Sequence, residues 1–248
     1  MVADLVWETA LIYQEGNPIS LTAGVSQCER HYQASDAFRS LHNIFSGVGR
    51  PDIAGNNIIF LGGTLAHGGG DLISDPARCM SYFLMRDIIR YMDPNPASVT
   101  KFFLQNPLEK SGSEAKIRKQ ALGINENDPT YNPDIKDQDD LLMYDALMQI
   151  TPETVLVIIN PGWPARQYLV FVMEDLMKQE RMPKAIVCEP SNENDGDYPY
   201  DDRFPDPTSP TVRDTLGLWK QYPINTLRNP GYIRDWKNIS LYIRPTPQ

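Results

Sequence analysis

The feature that most constrains this chain is a set of short, uninterrupted apolar runs closed by glycine, asparagine or proline. Ile58 to Leu61 runs into Gly62-Gly63, Thr154 to Ile159 (TVLVII) into Asn160-Pro161, and Lys184 to Glu189 (KAIVCE) into Pro190. A strand with one wet face alternates apolar and polar residues, whereas a strand covered on both faces has no polar positions to spare. Runs of this kind therefore demand a sheet with helices on both sides.

The intervening segments supply those helices. From Pro76 to Met92 the apolar residues Ala77, Met80, Phe83, Leu84, Ile88 and Tyr91 recur at three- and four-residue spacing, and Asp93-Pro94-Asn95-Pro96 stops the run. That pattern predicts a crossover helix after the first strand. The alternation continues with a strand at Val99 to Gln105, a helix at Asp137 to Met148, a helix at Ala165 to Gln179 between the two later strands, a helix near Thr211 to Lys220, and a strand at Ile239 to Ile243 (ISLYI). Alternating strands and helices predict an α/β protein with a parallel sheet. A short helix is expected around Glu114 to Leu122. Tyr222-Pro223 and Asn229-Pro230-Gly231 read as connecting segments.

Residues 1–55 have an amphipathic helical pattern, with Leu5, Ala10, Leu11 and Ile12 ahead of a turn at Gly16-Asn17-Pro18 and a second run from about Leu21 to Ile44. They are expected to form a helical N-terminal extension on a core spanning 56–248. The 248 residues are enough for one sizeable core, and no linker or internal repeat divides them, so a single domain is expected over 1–248.

Composition removes several classes of function. Charged residues make up 22% against 41% hydrophobic, a globular balance that argues against wholesale disorder. The longest apolar stretches, Val155 to Ile159 and Tyr168 to Met173, fall far short of the roughly 20 residues a bilayer span needs, so no membrane partner is expected. Asp4 and Glu8 stand where a secretory signal would carry positive charge, which makes a cytoplasmic location the expectation. Cys28, Cys79 and Cys188 are odd in number, widely spaced and without a C-x-x-C, which suggests neither a disulfide framework nor a zinc cluster. A net charge of -9 with no Lys/Arg stripe repels phosphate backbones, so nucleic acid is not an expected partner. Small organic molecules or proteins are, and a homo-oligomer is compatible with all of this.

In an open parallel sheet, ligands bind outside the carboxyl ends of the strands near the point where strand order reverses. The residues after each strand are therefore the candidates. After the first come Gly62, Gly63, Thr64, His67 and Gly68 to Gly70, whose glycines leave backbone amides open to an approaching ligand. After the second come Gln105-Asn106-Pro107, after the third Asn160-Pro161-Gly162-Trp163-Pro164, and after the fourth Glu189-Pro190. The glycine segment lacks both G-x-G-x-x-G and G-x-x-x-x-G-K-[ST], and a substrate-shaped turn competes with a phosphate-binding one.

His67 is the one histidine of three placed at a strand end, and an imidazole titrates near neutrality, so it reads as a proton carrier or as a hydrogen-bonded structural histidine. His67, Asp71 and Asp75 offer metal-ligand chemistry, but the glycines between them remove the geometry that would fix their spacing, and no metal is expected. Trp163 between two prolines reads as an apolar wall for a ligand or as a plug on the sheet edge. Arg166 falls at the predicted start of a helix, where a cation opposes the macrodipole and calls for an anionic partner, either a ligand or a neighbouring loop.

Ser191 to Asp202 resembles a calcium loop only faintly, since serine replaces the first acid, and reads better as a solvated lid. From Glu193 to Asp206 it sets six acids against Arg203 alone, a net of -5. No G-x-S-x-G elbow supports a covalent nucleophile.

Four pieces of sequence, LIYQEGNPISLTAGV, IIFLGGTLAHGGG, DPTYNPDIKDQDDLLMYDAL and TVLVIINPGWPARQYL with PKAIVCEP, resemble the fungal branch of the "sensitivity to red light reduced"-like domain family, as do the closing VRDTLGLWKQYPI and ISLYIRP. The resemblance implies a Rossmann-like, mostly parallel sheet with flanking helices, and a setting in fungal secondary metabolism. The chain departs from that pattern in the insertion between Pro107 and Asp128 and in the acidic segment after Glu189.

Three functions compete. The first is a cofactor-independent isomerase, cyclase or lyase that shapes a small substrate and moves protons, with His67, Asn160, Arg166 and Glu189 as polar groups and Tyr131 and Trp163 as walls. The second is an adenosylmethionine-dependent, methyltransferase-like protein, which the glycine loop and the Asn160-Pro161 pair resemble, although Gln105-Asn106 replaces the acid expected after the second strand. The third is a non-catalytic interaction domain whose acidic segment meets a basic partner.

Overall fold

The computed structural model describes residues 25–26, 28–30, 32–62, 76–92, 101–105, 120–122, 135–137, 146–159, 165–178, 180–190, 209–224 and 239–245, with the backbone alone of 76–80, 101–105, 135–137 and 174. The apolar runs form the strands expected of them: β1 (Asn57–Gly62), β2 (Lys101–Gln105), β4 (Thr154–Ile159), β5 (Ala185–Cys188) and β7 (Ile239–Ile243). Two further strands, β3 (Ile135–Asp137) and β6 (Lys220–Ile224), complete a seven-stranded sheet in the order β3-β2-β1-β4-β5-β7-β6. The five strands from β3 to β5 run parallel. β7 runs antiparallel between β5 and β6.

Among the described residues, helices that cover the sheet include α1 (Asp36–Ser46), α2 (Pro76–Met92), α3 (Ala165–Lys178) and α4 (Pro210–Gly217). The strand period of two divides each apolar run between two cores. Ile58 and Phe60 of β1, Val155 and Val157 of β4, and Val187 of β5 meet Leu41 and Phe45 of α1 and Phe83 and Ile88 of α2. Ile59 and Leu61, Leu156 and Ile158, and Ile186 face the other way, onto Leu169 and Met173 of α3 and Val212 and Leu216 of α4. Both faces are covered, which is why these strands carry no polar positions.

Caps set the helix starts. Ser35 Oγ accepts from the Phe38 amide at 3.1 Å ahead of α1, with Asp36 in the first turn where the macrodipole favours an acid. Ser209 Oγ accepts from the Val212 amide at 3.2 Å, and Pro210 takes the first position of α4, where no amide hydrogen is needed.

Several expectations change in detail. The helical run expected from Leu21 to Ile44 is broken: the described residues from 25 to 33 are helical, Ala34 and Ser35 turn, and a new helix begins at Asp36. The helical pattern also stops at Ser46, with Val48 to Asn56 non-helical. Val25, Tyr32, Leu41 and Phe45 are buried in the same core as β1 and β4, so this part of the N-terminal region belongs to the core.

The helix expected at Asp137 to Met148 is corrected at both described ends. Asp137 closes β3, and Leu147–Gln149 is a 3-10 turn. A three-residue strand is too short to show a period. β6 was hidden by Tyr222-Pro223: proline cannot donate to a ladder, but β6 is the last strand of the sheet, and an edge strand tolerates it. The strand after the last helix consequently begins at Lys220, and that helix ends at Gly217. The expected residues 1–24, and most of 106–134, lie outside the described residues.

Candidate functional site

The order β3-β2-β1-β4-β5 places a reversal between β1 and β4, because the chain steps outward to β2 and β3 on one side and to β5 on the other. α2, which follows β1, lies on one face of the sheet, and α3, which follows β4, lies on the opposite face. The helices after β1 and β4 thus lie on opposite faces, and at such a reversal a ligand crevice is expected at the carboxyl ends of the two strands.

Gly62 ends β1 opposite Ile159, the last residue of β4. Its φ of +106° lies in the left-handed region, so the chain leaves the strand in a conformation that a side chain resists. Gln105, the last residue of β2, pairs with Leu61 and so stands one strand over at the same edge.

Arg166 and Glu189 are brought together. Arg166 falls in the first turn of α3 after β4, and Glu189 directly follows β5, the strand beside β4. The guanidinium is only 2% exposed, yet it donates from Nη1 to the Glu189 carbonyl at 3.1 Å and lies 3.8 Å from its carboxylate. A buried cation at a helix start is unfavourable without a partner, and this one has both a carbonyl and a carboxylate. The Glu189 side chain retains 21% exposure. Sequence reasoning asked for an anionic partner for Arg166, and the partner is a residue of the chain itself.

Of the other residues singled out, Gly63, Thr64, His67, Asn106, Tyr131, Asn160, Gly162 and Trp163 lie outside the described residues, as do Asp71 and Asp75. Among the described residues, no three His, Cys, Asp or Glu side chains gather as a metal site would require. Cys28 and Cys188 are buried thiols. Among the described residues, no helix is long and apolar enough to cross a membrane.

A second polar cluster, missed from the sequence, lies away from this edge, where α2 meets the helical residues before α1. Arg86 binds Glu29 at 2.7 Å, and Asp87 lies 3.8 Å from Arg86 and 3.2 Å from Arg90. Burial raises the Asp87 carboxyl pKa above its ordinary value despite these cations, making it a weaker acid. Burial, then the Asp87 charge, raises the nearby Tyr32 phenol as well. The signal was present in the charges at 86, 87 and 90 within an otherwise apolar helix, but nothing local distinguishes a solvated face from a buried network.

In comparisons with family models, with curated proteins and with solved structures, nothing matches this chain.

Proposed function

We propose that this chain is a small-molecule enzyme whose ligand lies across the carboxyl ends of β1 and β4, and that the ligand carries a nucleoside, with adenosylmethionine the leading candidate. One observation carries the reading. The parallel series β3-β2-β1-β4-β5 supports a doubly wound, Rossmann-like reading, and a reversed β7 inserted between β5 and β6 resembles the strand order of adenosylmethionine-dependent methyltransferases. This is analogy at the level of fold, and function must come from the site.

The residues at the edge fit such a ligand in part. The turn at Gly62 lets a ligand approach the end of β1 closely. Gln105 ends β2 at the same edge, at the strand end where folds of this order read a ribose. Glu189 stands two strands from β1 with its side chain partly exposed, and its carboxylate is of the type that accepts a hydroxyl or amine proton. Adenosylmethionine, when bound, supplies an activated methyl group. Membership of the "sensitivity to red light reduced"-like family, a cytoplasmic setting and a place in secondary metabolism belong to the same proposal.

A second reading, proton transfer without a cofactor, draws on the Arg166–Glu189 pair, which holds a carboxylate at the crevice edge. Native mass spectrometry and thermal shift with adenosylmethionine, then with a metabolite panel, separate the two. An adenosylmethionine shift supports the first reading. A shift only with another metabolite transfers the proposal to the second, and no shift with any of them favours an interaction domain.

A further inference from the structure

We infer that Glu189, positioned by Arg166, is the ligand-contacting group on the β5 side of the crevice, and that it takes a hydrogen-bond donor or cationic centre rather than a phosphate or carboxylate. The inference rests on the crevice being a ligand site, as proposed above, but not on the ligand being adenosylmethionine.

From sequence, Arg166 is the natural anion receptor at this edge. Burial argues against that role, because an Arg166 side chain only 2% exposed presents almost no surface to an incoming anion and already donates to the Glu189 carbonyl. What remains partly accessible is the Glu189 side chain, 21% exposed. A carboxylate's two oxygens offer four acceptor positions, which chain and ligand can share. An anion arriving there would face a like charge.

The placement fits a ligand of moderate length. The carboxyl ends of β2, β1, β4 and β5 are neighbours in that order. Gln105 to Glu189 therefore spans three strand spacings, about 14 Å. A ligand seated over Gly62 with one end toward β2 would bring its other end to Glu189.

Arg166 contacts no ligand in this arrangement. It is a positioning residue, fixing the end of β5 through the carbonyl and the side chain of Glu189 through charge. A lysine in its place keeps the charge but presents a single point donor in place of the planar fork.

The test is calorimetric titration of the full chain and its E189Q, R166K and double variants with adenosylmethionine and with adenosine monophosphate. Melting temperature is recorded for each. Wild type is expected to bind adenosylmethionine in preference to the monophosphate, and E189Q to lose about tenfold or more in adenosylmethionine affinity, as removal of a charge-assisted bond predicts. R166K should lose affinity at near-unchanged melting temperature, with little further loss in the double variant, which a merely structural role would not produce.

Unchanged adenosylmethionine affinity in E189Q, or tighter binding of the monophosphate, overturns the inference while leaving the fold-based reading in place. If neither nucleoside binds, that reading fails, and saturation-transfer NMR with the matched fragments phenethylamine and phenylacetate decides the inference. The amine held by wild type and released by E189Q supports it. Preference for the carboxylate, or no difference between the proteins, overturns it.

Discussion

Asn57 Nδ2 donates to Thr154 Oγ1 at 2.9 Å, joining the first residues of β1 and β4 at the edge opposite the candidate site. The same oxygen accepts from the Thr151 amide at 2.8 Å, while Asn57 Nδ2 also donates to the Gln149 carbonyl at 3.1 Å. These bonds set the register of the two strands whose far ends form the crevice.

Thr154→Val keeps the shape of that side chain but removes the shared acceptor. The Thr151 amide is then left without its bond, and the expected cost is about 1–3 kcal/mol. Thr154→Ser should cost much less, since the hydroxyl survives. Urea denaturation of both variants checks the order; equal destabilisation would mean that methyl packing rather than the oxygen matters.

Gly62→Ala places a side chain at φ +106°, and the expected cost is about 1–3 kcal/mol, together with weakened ligand binding at the crevice. Gly55→Ala is the matched control. An added Cβ there would collide with the Glu153 carbonyl oxygen, far from the crevice edge. It should destabilise the fold without changing the affinity of the folded protein. Thermal denaturation paired with ligand titration separates the two effects.

Tyr32 is fully buried, with its ring stacked on Phe83 at 6.0 Å and edge-on to Phe38 at 5.6 Å, yet its hydroxyl has no hydrogen-bond partner among the described residues. It lies close enough to Asp87 for both charge and a hydrogen-bond contribution to act between them, although the pair falls short of full hydrogen-bond geometry. Tyr32→Phe is expected to be neutral or stabilising, because it deletes a desolvated polar atom and keeps the ring. Tyr32→Ala should cost about 3–5 kcal/mol. Chemical denaturation decides, and a large loss in the phenylalanine variant would show that the hydroxyl is bonded in solution.

Asp52 and Asp87 should give pH dependences of opposite sign. Hydrogen bonding from the Ala54 amide and from Lys184 holds the Asp52 carboxyl below its ordinary 3.8. The stability it contributes is present above that value and is lost as pH falls through its lowered folded pKa. Burial raises Asp87 above 3.8. Its contribution is fully present below that value and is lost as pH rises through its raised folded pKa. The stability of wild type relative to Asp52→Asn should therefore grow as pH rises through the acid range, and relative to Asp87→Asn should shrink. Urea titrations from acid to neutral pH check both. Because Asp52 is largely exposed, salt should shrink its effect more.

Much of the fold was legible because burial on two faces imposes a composition. β1, β4 and α2 start and end where the apolar runs and breakers place them, since a fully covered strand has to be continuous and a crossover helix has to be striped. The breaks at Ala34-Ser35 and at Pro223 were harder to read. A serine cap looks like any other serine until its oxygen meets an amide, and a proline reads as a breaker unless its strand is known to lie at the edge.

For the site, the sequence by itself determined which residues follow the strands and that Arg166, as a cation at a helix start, required an anion. Only the tertiary structure decided that Glu189 is that anion, because the two residues are 23 positions apart and meet only where β5 is laid beside β4. It alone also decided the reversal of β7, since an apolar run has the same composition in either direction, and strand direction is set by the path of the chain between strands.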